Sequence, residues 1–255
     1  MAKHYEWGDY YIPGTHVLRN LFTSPEKPYG ETDPAILKQL EEFTVSIRMG
    51  TLARQPIRGN FDFAHMKAIH GFLFQDVYEW AGQERTAPSF WDPRMSKEGH
   101  RYFPAGAPML EQANRLYRGL AAKNYLAGLS REEFVCEYAE LWNELNVVHA
   151  FREGNTRTQF VFFRQLAEHA GYQLDADAFA VGEPLRDEFV EARFEGQDTG
   201  RSDRLAEVLS KAIKPLPPVT QDEPKGSGTI LDKDPATSLG VDVMSIIPTV
   251  DGDAG

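Results

Sequence analysis

Within nine residues, His149-Ala150-Phe151-Arg152-Glu153-Gly154-Asn155-Thr156-Arg157 carries the pieces of a phosphate-ester transfer site. An imidazole titrates near neutrality and can act as a general base, here from just past a helix end. Four residues on, Glu153 offers the kind of hard oxygen ligand that Mg²⁺ uses beside a nucleotide phosphate. Gly154-Asn155-Thr156 opens a new helix, where converging backbone N–H groups and the positive end of the helix dipole make an anion nest. Arg157, in the first turn of that helix, has the planar fork that clamps a phosphate. Base, metal ligand, nest and clamp together describe transfer of a phosphorus-centred group.

The elements that position these residues are helices. Ser130-x-x-Glu133 is a capping box that starts the helix leading into His149, with Phe134, Tyr138, Leu141, Leu145 and Val148 on its core face. The following helix begins after Gly154 and carries Phe160, Phe163, Ala167 and Ala170 to a stop at Gly171. Upstream, Asp33-Pro34 is an N-cap followed by proline, and Ile36, Leu40, Phe43 and Ile47 form an apolar stripe that predicts the buried face of a first helix. A second runs from about 62 to 78 with Met66, Ile69, Leu73 and Val77 on one face, and a third from about 108 to 125. Shorter helices are expected near 184–195 and 201–213. Between Trp80 and Pro108 the helical pattern fails, and prolines, glycines and aromatics point to a long ordered loop or short hairpin. No strand alternation stands out, so the fold is mainly α.

The organisation read from these signals is an N-terminal arm over 1–32, a helical domain over 33–214 and a flexible Pro-, Gly- and Asp-rich tail over 215–255. A net charge of -11 repels phosphate backbones and speaks against nucleic acid as a partner. The single cysteine, Cys136, cannot form an internal disulfide and lies in an apolar helical pattern that predicts a buried, inert thiol. No run reaches the ~18 apolar residues of a membrane span, and the N-terminus lacks a secretory layout. Cytoplasmic synthesis is expected, with export as an effector left open. His65, His70 and His169 have no metal-ligand companions and read as core or solvated residues; Trp80, Trp91 and Trp142 read as packing.

The nine-residue segment resembles the signature of the Fic family, H-x-F-x-(D/E)-G-N-G-R-x-x-R. His149, Phe151, Glu153, Gly154, Asn155 and Arg157 match it, a coincidence expected in on the order of one chain in 10⁵ or fewer. Tyr11 to Thr15 with Val17 to Asn20 is similar to the family's N-terminal arm, and Val77 to Gly82 with Arg85-Thr86 to the segment entering its target-docking flap. The resemblance implies a Fic-type helical bundle with a small β-hairpin flap, about 84–104, over an active-site loop at 149–157. It further implies a protein adenylyltransferase that moves AMP from ATP to a Ser, Thr or Tyr hydroxyl of a target protein. His149 would be the base, Phe151 the loop's anchor in the core, and Glu153 the Mg²⁺ ligand. Arg152, Glu153, Gly154, Asn155, Thr156 and Arg157 would form the nucleotide site. The target would pair with the flap through Arg85, Thr86, Tyr102 and Phe103, in the manner of an added strand. Ser89-Phe90-Trp91-Asp92-Pro93 lengthens the flap and could set target choice.

Two positions depart from the signature: Thr156 stands where the last glycine is expected, and Phe160 where the second arginine is expected. The loss of that arginine removes an expected γ-phosphate contact. Alternatives therefore stand beside AMP transfer: a Doc-like kinase, a transferase using another nucleotide, or a non-catalytic binding module. The family's inhibitory pattern (S/T)-x-x-x-E-(G/N) does not occur around Glu98, Glu153 or Glu195, which points to regulation by a separate small antitoxin or by other means.

Overall fold

The computed structural model describes residues 6–97 and 99–217. Of the expected tail, 218–255 lies outside the described residues. Seven α-helices are described: α1 (Pro34–Arg54), α2 (Phe63–Phe74), α3 (Ala107–Ala122), α4 (Arg131–Val148), α5 (Asn155–Ala170), α6 (Pro184–Thr199) and α7 (Asp203–Ala212). Two short antiparallel pairs complete the fold. β1 (Arg94–Lys97) pairs with β2 (His100–Pro104), and β3 (Tyr172–Leu174) pairs with β4 (Ile213–Pro215).

The helix starts follow from their caps. Asp33 accepts from the amides of Ala35 and Ile36, Asp62 from that of His65, and Ser130 with Glu133 closes the expected capping box. α4 and α5 form the centre, where Trp142 stacks on Phe163 with centroids 4.3 Å apart and Phe160 packs edge-on against the same indole. Met66, Ile69, Leu73 and Val77 are all buried, as their spacing predicts. β3–β4 brings the chain after α7 back beside the end of α5, so α6 and α7 return to the bundle and α6 lies along the hairpin.

Three expectations are corrected. The stripe on α1 faces outward, with Phe43 and Ile47 more than half exposed; the inward positions are Leu37, Glu41, Val45 and Leu52. The inward face of α1 includes a carboxylate because Glu41 reaches across to a buried arginine described below. Cys136 is exposed on the outer side of α4 rather than buried. Trp91 is not packing: with Phe90 it stands 90% exposed just before β1, the two rings touching edge to face at 5.4 Å. Among the described residues, no helix is long and apolar enough to cross a membrane.

Candidate active site

α4 ends on His149, which takes the left-handed conformation (φ 46°, ψ 61°) and donates its amide to Leu145 O at 3.2 Å. A left-handed non-glycine residue costs about 1–2 kcal/mol and persists only where its surroundings over-determine it. Arg85 supplies much of that constraint. Its Nε donates to His149 O at 2.7 Å, and its Nη2 donates to Phe103 O at 2.5 Å and Val148 O at 3.4 Å. One buried guanidinium thus caps the last carbonyls of α4 and ties them to β2. Burial pulls the Arg85 pKa down to about 10, which leaves it charged at neutral pH. Its backbone amide adds a bond to Ala150 O.

The loop beyond His149 is held from both sides. Asn155 accepts from the Phe151 amide at 2.9 Å and donates to Phe151 O at 2.7 Å, stapling the loop to the start of α5. His70 of α2 lies flat on Phe151, centroids 3.9 Å apart. Its Nδ1 accepts from the Gly82 amide, so Nε2 carries the proton and donates to Glu153 O at 3.0 Å. Complete burial drives the His70 pKa down to about 3, so the ring is neutral in this role. Gly154 (φ 77°) is required twice over: for its left-handed backbone, and because a Cβ there would lie 2.1 Å from Phe74 Cζ.

The charged groups of the segment divide. Arg157 turns inward to a buried ion pair with Glu41 of α1, lies 3.5 Å from Glu153 Oε1, and stacks over Phe74. Tyr78 donates to the same Glu41, and burial together with the charges of Glu41 and Glu153 holds its phenol well above the usual range. Arg152 is buried too, over the rings of Trp7 and Tyr11 and donating to Tyr11 Oη at 2.8 Å. It fixes the N-terminal arm to the loop.

The cleft itself is lined by Lys97, Tyr102, Asn146, His149, Thr156 and Arg193, among others. Tyr102, on the hairpin, stacks on the His149 ring at 3.7 Å and 23°. The N–H groups that open α5 have no intrahelical acceptor by geometry, so the helix start beside His149 is suited to an anion. Arg193 of α6 donates to Thr156 Oγ1 at 3.2 Å and to Asn146 Oδ1. The hairpin is pinned to α6 as well: His100 meets Asp198 at 2.8 Å and stacks on Phe194, and Gln197 donates to Arg101 O.

His149 and Thr156 are therefore brought to one cleft, whereas Arg152, Asn155 and Arg157 build the loop that presents it. Of the expected docking residues, Arg85 and Tyr102 are buried, the Thr86 amide donates to the Tyr10 hydroxyl, and Phe103 offers its carbonyl to Arg85. Among the described residues no cluster of three or more His, Cys, Asp or Glu could cage a metal. Glu153 still fits Mg²⁺, which commonly takes one carboxylate alongside substrate phosphates. Arg193 and Asn146 escaped sequence reasoning, whereas His70, read as core or solvated, is a core residue that also holds the loop. The signal for Arg193 was its spacing of four from Phe189 on the inner face of α6.

The chain matches the Fic/DOC family over residues 60–167. It is 39% identical over 165 residues to the "probable protein adenylyltransferase y4lH" of Sinorhizobium fredii, covering 64% of this chain and 77% of that protein. It is 37% identical over 205 residues to the protein adenylyltransferase VbhT of Bartonella schoenbuchensis, covering 80% of this chain and 38% of that longer protein. In structure it resembles the VirB-translocated effector BepC of Bartonella tribocorum with bound AMPPNP (TM-score 0.71, 27% identity, 84% of this chain and 100% of that one).

Proposed function

The chain belongs to the Fic/DOC family, and on that premise we propose that it is a protein adenylyltransferase, moving AMP from ATP onto a Ser, Thr or Tyr hydroxyl of another protein. One observation carries the reading: the His149 ring stands at the opening N-terminus of α5, in a cleft beneath the β1–β2 hairpin. A base beside an anion-binding helix end is what attack on a phosphate group needs.

The target hydroxyl gives its proton to the His149 imidazole as its oxygen bonds to the α-phosphorus. The bond from that phosphorus to the bridging oxygen breaks, and pyrophosphate leaves with the electron pair. The amides that open α5 face the charge that grows on the phosphate oxygens. Tyr102 holds the imidazole by its face, leaving a ring edge for the hydroxyl. Glu153 would hold Mg²⁺, which when bound neutralises charge on the phosphate oxygens. The target is docked along the hairpin, where β2 is tied to α6 and the Phe90-Trp91 pair is exposed just before β1. Exposed paired aromatics are the residue types that dominate interface energetics.

The test uses purified protein, Mg²⁺, a cell lysate and ATP labelled separately at the α- and γ-phosphates, with His149→Ala as control. Label reaching protein from the α-position alone, and lost in the variant, is the expected result. Label from the γ-position alone would make the protein a kinase, and label from neither would end the ATP reading.

A further inference from the structure

The cleft wall beside His149 carries two neutral side chains whose orientation an arginine dictates. We propose that the Asn146 amide and the Thr156 hydroxyl are side-chain hydrogen-bond donors to the phosphate oxygens of the nucleotide, with Arg193 as the residue that orients them. The proposal rests on the nucleotide-transfer reading above and adds two contacts to that site.

Arg193 reaches both residues from α6. Its Nη1 donates to Thr156 Oγ1 at 3.2 Å, and its Nη2 donates to Asn146 Oδ1. A guanidinium has donors and no acceptor, so each contact occupies an oxygen lone pair and leaves the hydrogens on the other side chain unused. For Asn146 the assignment is forced, because reversing the amide would set its NH₂ against the guanidinium, donor facing donor. Nδ2 therefore points away from Arg193, and among the described residues it meets no acceptor. The Thr156 hydroxyl hydrogen is likewise given to no acceptor among the described residues. Thr158, two residues on, behaves differently and spends its hydroxyl on Gly154 O at 2.9 Å. Asn146 and Thr156 are 2% and 1% exposed, and both line the cleft. Buried polar groups are seldom left unmatched, so the acceptor for these two belongs to what the cleft binds.

Their position says what that is. Asn146 stands one turn before His149 on α4, and Thr156 is the second residue of α5. The backbone N–H groups of that first turn also lack intrahelical acceptors. Side chains and backbone thus offer donors to one region, which fits a ligand built of acceptors alone, and phosphate oxygens are such a ligand. Thr156 stands where the signature has glycine, so this chain gains a donor there that a glycine cannot supply. Neither donor depends on Arg193 touching the ligand. Its task is to hold their oxygens, and its stacking over Phe189, 5.4 Å from the centroid, helps to fix the fork.

The experiment is calorimetric titration of the whole chain with ATP in Mg²⁺, for the wild type, Thr156→Val, Thr156→Ser and Asn146→Asp, with thermal melting of each as the check on folding. Thr156→Val keeps the shape and loses the hydroxyl. Asn146→Asp keeps an oxygen for Arg193 and replaces the donor by an acceptor. Each of these two weakens ATP binding about 10- to 100-fold, the range for a lost hydrogen bond to a charged group, and Thr156→Ser recovers the affinity. A purely structural role gives another pattern: Thr156→Val takes an acceptor from Arg193 and Asn146→Asp gives it a stronger one, so effects carried through Arg193 alone run in opposite directions. Wild-type affinity in Thr156→Val or Asn146→Asp, opposite shifts in the two, or a Thr156→Ser as weak as Thr156→Val overturns the proposal and leaves AMP transfer to its own labelling test. Where Asn146→Asp does not fold, the comparison of valine with serine at 156 decides. A wild type that does not bind ATP overturns both.

Discussion

Gly154→Ala tests how the active-site loop is built, because two separable penalties meet at that residue. Its φ of 77° lies in the left-handed region, where an alanine costs about 1–2 kcal/mol. An added Cβ would also lie 2.1, 2.3 and 2.9 Å from Cζ, Cε2 and Cε1 of Phe74, far inside contact distance. Forcing a methyl into a packed core costs typically about 1–3 kcal/mol, so the whole substitution should cost about 3–4 kcal/mol. The three offending atoms are the ones that leucine lacks. In a Phe74→Leu background the steric share should therefore vanish and Gly154→Ala should cost only about 1.5 kcal/mol. Urea melts followed by tryptophan fluorescence, run on the wild type, both single variants and the double, give the coupling energy directly. A coupling of about 2 kcal/mol is expected. Equal costs of Gly154→Ala in the two backgrounds would refute the steric argument and leave backbone conformation as the whole reason for the glycine.

Three further outcomes follow. Arg85→Met strips the donors from three carbonyls, two of them buried, and should lower stability by roughly 3 kcal/mol; in a stabilised background it should reduce kcat at least tenfold while ATP affinity changes little, measured by transfer kinetics against titration. For His70, the unfolded ring takes a proton near 6.5 and the folded one only at about 3. Between those values the unfolded state binds more protons, so its contribution to stability is complete above 6.5 and lost as the pH falls toward 3, by up to about 1.4 kcal/mol per pH unit. Denaturation at pH 7, 6 and 5 should show that slope, and His70→Gln should flatten it; an unaltered slope in the variant would be inconsistent with a buried neutral ring. Trp91→Ser should raise the KM for the protein target several-fold while ATP affinity stays put, and an unchanged KM would remove the exposed aromatic pair from target docking.

Much of the fold was readable because its signals are local. Asp33, Asp62 and the Ser130–Glu133 box announce helix starts through bonds of two or three residues, and Gly171 announces an end. The chemistry of 149–157 was readable for the same reason, being contained in one short segment. What could not be read is what holds that segment. Glu41 reaches Arg157 across 116 residues, His70 reaches Glu153 across 83, and Arg85 reaches His149 across 64. No periodicity reports such pairs. The outward stripe on α1 misled because apolar spacing says which residues share a face, and not which face turns inward; here the face bearing Glu41 was taken in by its ion pair. The β3–β4 pair escaped because three-residue strands 41 positions apart are too short for alternation to register.

Two arginines meet at the start of α5, one from the signature segment and one from a distant helix. Arg157 belongs to the signature and lies in the first turn of α5, and its guanidinium pairs with Glu41 of α1. Breaking a buried pair of this kind by removing one partner costs about 3–5 kcal/mol, so releasing it to a ligand would have to be compensated by the ligand. Arg193, from α6, donates to Thr156 Oγ1 and Asn146 Oδ1 at the cleft wall. The start of α5 is thus approached by two arginines, Arg157 from its own first turn and Arg193 from a different helix. α6, which also pins the hairpin through Phe194 and Asp198, thereby joins the start of α5 to the hairpin, while position 160 belongs to the aromatic core.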